Sequence, residues 1–288
     1  MQSLRRTLVN LFPCSKLTLT IPAGALLAGF MMNAAAAPFV PDFSAASFIP
    51  GAAINHPYFP LLTTSTYRYE GHTVDEDGDP ILAAFEFHAP AAGPTILGVQ
   101  TTTRLDRAFA GGLLIEDTFD HYAQDTQGNV WYMGEDVTNY IYDGADNLIG
   151  THSASSWRAG VNGALAGFQM PADTSLGVNY YQEKADADQA VDQARTQGLL
   201  DQVIVDFGTF HDVLLVWEGS EIDPGQGYKY YARGFGLILE DKHLDAQLRV
   251  PEFSQQLVSV TAVPVPASLP LLGSALLGII GLRRRAKA

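Results

Sequence analysis

Leu113-Leu-Ile-Glu-Asp-Thr-Phe-Asp-His-Tyr-Ala-Gln-Asp-Thr-Gln-Gly-Asn-Val-Trp-Tyr-Met133 is the stretch that decides the fold. A long extended run ends at Gln124. Asp125-Thr-Gln-Gly-Asn129 supplies turn residues, and Val130-Trp-Tyr-Met133 resumes the extended pattern. β-Branched and aromatic runs bounded by Gly, Asp and Asn are the signature of a hairpin. The signature recurs on both sides. Thr66-Tyr-Arg-Tyr-Glu70 alternates, Asp75-Glu-Asp-Gly-Asp-Pro80 turns, and Ile81 to His88 returns. Thr95 to Ala108 is another long stretch, followed by Gly111-Gly112. Asn139-Tyr-Ile-Tyr142 turns at Asp143-Gly-Ala-Asp-Asn147 and continues to about Trp157. Further strands are predicted at Val203 to Phe207, Thr209 to Glu218, Tyr228 to Glu240 and His243 to Val250. Gly234 and Gly236 inside the third of these mark a bulge or a close backbone approach.

The pattern predicts a mainly β fold for residues 65–250: a single antiparallel, strongly curved sheet or incomplete barrel. Residues 37–64, rich in Pro, Ala, Ser and Phe, read as an irregular lead-in, and 251–262 as a polar linker. One segment breaks the β pattern. Ala187, Ala190, Val191 and Ala194 have helical spacing and Gly198 is a stop, so a short helix or helical turn is expected within Ala185 to Leu199. Alternation puts Trp131 and Tyr132 on opposite faces, and likewise Tyr230 and Tyr231. One of each pair belongs to the core. The other is either buried in a two-sided sheet or exposed as a platform for a sugar or an apolar ligand. Trp131 and Trp157 are the expected core aromatics.

The two ends carry addresses. Arg5, Arg6 and Lys16 precede an apolar run from Leu17 to Met32, and Ala34 to Ala37 offer small residues for cleavage. That is a signal-peptide pattern. Residues 1–36 are the expected leader, cut by signal peptidase after Ala36 with Ala34 and Ala36 at the recognition positions. At the other end Val263-Pro-Val-Pro-Ala267 leads into an uncharged run to Leu282 and then Arg283, Arg284 and Arg285. Twenty apolar residues suit a helix crossing about 30 Å of hydrocarbon, and the arginines favour the cytoplasmic side.

Residues 263–288 resemble the PEP-CTERM class of sorting signals in its VPxPA variant, on Val263, Pro264, Pro266, Ala267, Leu269-Pro-Leu-Leu272 and Arg283 to Arg285. The resemblance implies a transmembrane sorting helix and processing by an exosortase-type membrane protease. It also implies a destination in the cell envelope, at the cell surface or outside the cell. A second resemblance covers roughly Tyr67 to Glu240. Asp120 to Glu135, Ser156 to Ala164, Gln169-Met-Pro-Ala172 and Tyr230 to Ile238 are similar, in that order, to blocks in uncharacterised secreted bacterial proteins. It implies one β domain and no particular activity.

Composition narrows the function. The only cysteine, Cys14, falls in the leader, so the remaining chain has neither disulfide nor thiolate chemistry. The whole chain carries −14 formal charge. Seven of its 17 Lys and Arg lie in the two end segments and none of its 31 Asp and Glu does, which leaves −21 between them. Such a surface argues against nucleic acid as a partner, because that binding rests on Lys and Arg neutralising phosphates.

Specific chemistry is sparse. Asp75, Asp77, Asp79 and Glu86 have the spacing of a calcium loop, but Pro80 stands where the loop needs Gly, and a solvated hairpin turn fits better. His56, His72, His88, His121, His152, His211 and His243 show no zinc spacing. No G-x-S-x-G elbow occurs, and in so acidic a chain no glycosidase carboxylate pair stands out. No catalytic residue, metal ligand or cofactor is therefore assigned. The reading is a non-catalytic exported envelope or extracellular-matrix protein, binding exopolysaccharide or an apolar ligand inside the curve of the sheet. The alternative is a secreted hydrolase acting on polysaccharide in an acidic cleft. Convergent polar side chains in a pocket would favour the hydrolase, and an aromatic or apolar cavity would favour the binding module.

Overall fold

A computed structural model describes residues 37–61, 64–74, 79–175, 177–222, 225–244 and 251–262. The expected transmembrane helix, the residues assigned to sorting and signal cleavage, and Asp75 to Gly78 lie outside them. Among the described residues no helix is long and apolar enough to cross a membrane.

The strands follow in chain order. β1 (Asn55–His56) and β2 (Phe59–Pro60) make a small hairpin. After them come β3 (Ser65–Val74), β4 (Pro80–Phe87), β5 (Ala91–Ile96), β6 (Val99–Ala110), β7 (Leu113–Gln124), β8 (Val130–Tyr142), β9 (Leu148–His152) and β10 (Trp157–Arg158). Then come β11 (Leu165–Met170), β12 (Tyr180–Tyr181), β13 (Glu183–Lys184), β14 (Asp192–Val205), β15 (Gly208–Ser220), β16 (Gln226–Ala232), β17 (Gly236–Leu244) and β18 (Pro251–Ala262).

One antiparallel sheet holds nearly all of them, in the order β12-β14-β15-β16-β17-β18-β3-β4-β6-β7-β8-β11-β13. The two ends of that path, β12 and β13, are separated in the chain by Gln182 alone. Tyr180 pairs with Ala194 on β14, while Glu183 pairs with Ala166 on β11. The Gln182 N–H donates to the Asp192 carbonyl at 2.8 Å. The sheet thus returns on itself as a nearly closed barrel. Gly167 makes the approach possible, since a Cβ there would sit 2.2 Å from the Tyr181 carbonyl oxygen. Closure also removes the exposed edges that would template aggregation.

Three expectations need correction and a fourth holds in part. Residues 251–262 are not a linker. They form β18, which bonds β17 on one side and β3 on the other. The β domain therefore reaches Ala262, and a chain ending at Val250 would lack a central strand. The segment from Ala185 to Leu199 has the expected helical turn but no longer helix. It holds one 3-10 turn, Asp186–Asp188, closed by Gln189 in the left-handed region, and then enters β14. Ala190, Val191 and Ala194 are buried where the barrel closes, and cross-strand pairing overrides their helical spacing. The stretch from Thr95 to Ala108 is two strands, turning at Leu97–Gly98 with both residues at positive φ. The stretch from Tyr228 to Glu240 also turns, at Arg233–Phe235.

The lead-in is irregular apart from a 3-10 turn (Phe43–Ala45) and the β1–β2 hairpin, yet it is packed. Asn55 and His56 donate backbone N–H groups to Gln124 Oε1, Gly234 N–H donates to the Pro57 carbonyl, and Tyr58 Oη donates to the Asp212 carbonyl. Residues 54–60 so cover the barrel end that carries the 125–129 and 233–235 turns, with Ile54, Tyr58 and Phe59 buried.

Trp131 and Trp157 are both buried, as expected of core residues. Trp131 meets Phe168 and Phe43 edge-on, with ring centroids 4.6 and 5.3 Å away. Its Nε1 donates to Asp125 Oδ2 at 2.9 Å. The other Asp125 oxygen accepts from the N–H groups of Gln127 and Asn129. One carboxylate therefore ties the decisive hairpin turn to the core indole. Truncating a buried Trp costs about 3–5 kcal/mol, close to the whole stability of many domains. Trp131→Ala should abolish the cooperative thermal transition seen by circular dichroism. A drop of only a few degrees would place the stabilising core elsewhere.

Candidate functional site

The barrel lumen holds a cavity of about 230 Å³ that runs from Phe59, on the covered end, toward the opposite end. Strand register explains its chemistry. β6 and β7 pair Arg104 with Asp120, Asp106 with Thr118 and Ala108 with Glu116. Alternate residues share a face, and here that face is the lumen. On the far wall Lys229 pairs with Glu240, which pairs with Gln255. Among the described residues eight carboxyls and four basic side chains line the cavity, together with Phe59, Phe85, Phe87, Tyr122, Tyr132 and Tyr231.

Arg104 organises one wall. Its Nε and Nη2 donate to the two Asp106 oxygens at 2.6 and 2.7 Å, and Nη2 lies 3.6 Å from Asp120 Oδ2. Its guanidinium stands 4.1 Å from the Phe87 ring centre and within 5.6 Å of those of Phe59 and Tyr122. Burial pushes the Asp106 carboxyl up, Arg104 pulls it down and Asp120 pushes it up again, so it rests well above the usual carboxylate range. Tyr132 Oη bridges Asp120 Oδ1 and Glu135 Oε2, at 2.5 and 2.8 Å.

Lys229 organises the other wall. Its Nζ lies 2.7 Å from Glu218 Oε2 and 3.7 Å from Glu240 Oε1, and Lys242 Nζ lies 3.2 Å from the same Glu240 oxygen. Gln182 Nε2 donates to Glu218 Oε1 at 3.0 Å, and Gln255 Nε2 donates to Glu240 Oε2. Burial pushes the Glu240 carboxyl up, but Lys242, Lys229 and the Gln255 bond outweigh it and hold the group below its usual value.

Between the walls lie carboxyls that feel the lysines only from beyond ion-pair distance. Glu116, Glu135, Glu183 and Asp192 make no ion pair among the described residues, although Glu116 accepts from Thr118 Oγ1 at 2.8 Å. Burial pushes all four up. Asp120 and Asp192 push both Glu135 and Glu183 up further, and Glu135 adds to the rise at Glu183, which Lys229 opposes.

The aromatic pairs sort differently from a platform. Trp131 and Tyr132 are 2 and 5 % exposed, so both faces of β8 are buried there, and Tyr231 is buried while Tyr230 is half-buried. Asp79 and Glu86 are the described members of the calcium-loop spacing. Among the described residues no three His, Cys, Asp or Glu side chains are arranged to hold a metal ion. His121 lies on the outer wall, its Nδ1 2.7 Å from Thr103 Oγ1 and its Nε2 3.2 Å from Asp136 Oδ2. The order resembles a hydrolytic triad, but Gly93 lies against the hydroxyl. A Cβ there would be 2.2 Å from Thr103 Oγ1, which leaves no room for a scissile group. Sequence reasoning missed the lumen set, whose legible signal was charge at alternate positions of predicted strands, Arg104 and Asp106 facing Glu116, Thr118 and Asp120.

No known family model matches the sequence, and no curated protein matches it. Two solved structures are similar at low overlap. One is a Bacteroides fragilis protein described as exported and of YmcC-like fold, 12% identical, with a TM-score of 0.35 over 73% of this chain and 100% of that one. The other is a Parabacteroides distasonis protein described as a lipoprotein, 12% identical, with a TM-score of 0.33 over 71% of this chain and 98% of that one. Overlap this low carries neither function nor location to this chain.

The raised carboxyls make stability depend on pH. Between the ordinary value of about 4 and a raised folded value, the folded chain binds more protons than the unfolded one. Stability contributed this way is present at low pH and is lost as pH rises through the folded values. His56 works in the opposite sense. Burial pulls it from 6.5 to about 4, so acidification through that window costs stability. Melting temperature should therefore rise as pH falls toward 6.5 and level off below it, where His56 opposes the gain. Glu135→Gln with Glu183→Gln should raise the melting temperature at neutral pH and flatten its dependence on pH above 6.5. A lower melting temperature in the double variant would mean that these carboxyls are held by cations.

Proposed function

We propose that this chain is a non-catalytic, exported binding protein of the cell envelope whose barrel lumen receives a hydrophilic ligand, with exopolysaccharide the favoured class. The observation that supports it is the cavity wall, in which carboxyls and amides alternate with aromatic rings, the combination that hydrogen-bonds and stacks on a sugar. The apolar ligand also considered from sequence suits this wall poorly, because burying unpaired carboxyls against hydrocarbon is costly. Export rests on the leader and tail sequences. In this reading signal peptidase cuts after Ala36, an exosortase-type protease acts near Pro266 and Ala267, and the helix within 263–288 holds the precursor in the membrane.

The hydrolase alternative draws support from the same lumen, because polar side chains do converge there. Geometry weighs against it. A glycosidase places its scissile bond between two carboxyls. Here the Tyr132 hydroxyl fills the gap between Asp120 and Glu135, and Asp106 and Asp120 are in direct hydrogen-bond contact.

Two measurements test the reading. Full-length protein in detergent should bind soluble exopolysaccharide fragments by calorimetry, and mass spectrometry should find them uncut after prolonged incubation. Thr118→Tyr, which fills the lumen, should abolish the binding heat. Chain cleavage that disappears in Glu135→Gln would replace this reading with the hydrolase.

Processing is separable from binding. Replacing Pro266-Ala267 with Gly-Leu should block trimming of the tail while membrane insertion persists, because the apolar run is intact. Unchanged trimming by mass would reduce the tail to an ordinary anchor.

A further inference from the structure

The hydrogen-bond inventory of the lumen is lopsided. Arg104, Lys229 and Lys242 are each committed to carboxyls at 3.2 Å or less. What is left over on the wall is acceptors. Glu135 has one Tyr132 hydroxyl and Asp192 the Ser220 hydroxyl, and neither Glu183 nor Asp192 has an ion pair among the described residues. Gln255 adds an independent sign. It lies on the cavity wall, 3 % exposed, with Nε2 bound to Glu240 and Oε1 accepting from no group among the described residues. Buried polar atoms in native proteins are nearly always satisfied. An unsatisfied amide oxygen in the wall of the same cavity marks a place kept for a donor.

We infer that the lumen recognises a ligand bearing a primary ammonium group, seated among Glu135, Glu183 and Asp192 with further donors toward Gln255. The inference rests on the lumen-binding reading and names its ligand class. An ammonium supplies three donors and no acceptor, which complements a wall of spare acceptors. A neutral sugar offers hydroxyls that both donate and accept, and it leaves the carboxyls uncompensated. Charge-assisted bonds in a confined site are roughly twice as strong as neutral ones. Burial and the neighbouring Asp120 and Asp192 push Glu135 and Glu183 up, and a bound cation would pull them down again. Ammonium groups of this kind occur in amino-sugar units of a polysaccharide and in free polyamines.

Three probes separate the possibilities: a glucosamine trisaccharide, its N-acetylated counterpart and spermidine, each titrated into full-length protein at pH 7. The amino trisaccharide should bind at least tenfold more tightly than the acetylated one. The Glu135→Gln, Glu183→Gln double variant should bring the two affinities together. That variant is expected to be the more stable protein, so its melting temperature separates lost recognition from lost folding. Tighter binding of spermidine than of the amino trisaccharide would keep the ammonium site and assign it to polyamines. Equal affinity for the two trisaccharides, or a preference that survives the double substitution, would overturn the ammonium inference and leave the lumen-binding reading in place. Binding of none of the three would overturn both.

Discussion

Closure of the sheet at Gln182 is the constraint on which the rest depends. Five residues, Tyr180 to Lys184, pair first with β14 and then with β11, so one short segment joins both ends of a very long sheet. The join needs close backbone approach, and Gly167 provides it beside the Tyr181 and Gln182 carbonyls. Small buried residues gather around it, Ala164, Ala166, Ala185, Ala190 and Ala194. Without the join the lumen would be an open trough. Its carboxyls would then be hydrated, and no feature of the site described above would survive.

A closed lumen changes the value of every charge inside it. Removing an ion from water costs several kcal/mol unless a partner compensates it. The protein meets that cost in two places, at Arg104 with Asp106 and Asp120, and at Lys229 with Glu218 and Glu240. Elsewhere the carboxyls have no ion pair among the described residues, and burial pushes them up toward the protonated form. A fold selected for stability alone would fill these positions with Val or Leu, because well-packed apolar residues commonly match or exceed a buried ion pair. Retaining them sacrifices stability at neutral pH, and residues that do so are the ones to associate with binding.

Much of the architecture was legible locally. The Asp125 to Asn129 and Asp143 to Asn147 turns form as their residues suggest, each with the aspartate accepting backbone N–H groups across the turn. β7 runs from Leu113 to Gln124, as its composition predicts. The misreadings share one cause. Residues 251–262 looked like a polar linker because Gln255 faces a polar lumen, so an inner strand face reads as a solvated one. Ala185 to Leu199 looked helical because small residues at the seam happen to fall at helical spacing. Thr95 to Ala108 looked continuous because its tight turn at Leu97 places a large apolar residue where Asn or Gly is usual.

The sequence by itself determined the β class, the hairpin turns, the core indoles and the resemblance of the tail to a sorting signal. These depend on neighbours in the chain or on composition, which the order of residues records directly. Tertiary structure alone decided that the sheet closes, that β18 lies between β17 and β3, and that Arg104, Glu135, Glu183 and Gln255 share one cavity. Those facts depend on pairings between segments as much as 197 residues apart, such as Ala262 with Ser65. Strand alternation says that a side chain points to one face or the other. Only closure says which face is the inside, and with it which charges lose their water.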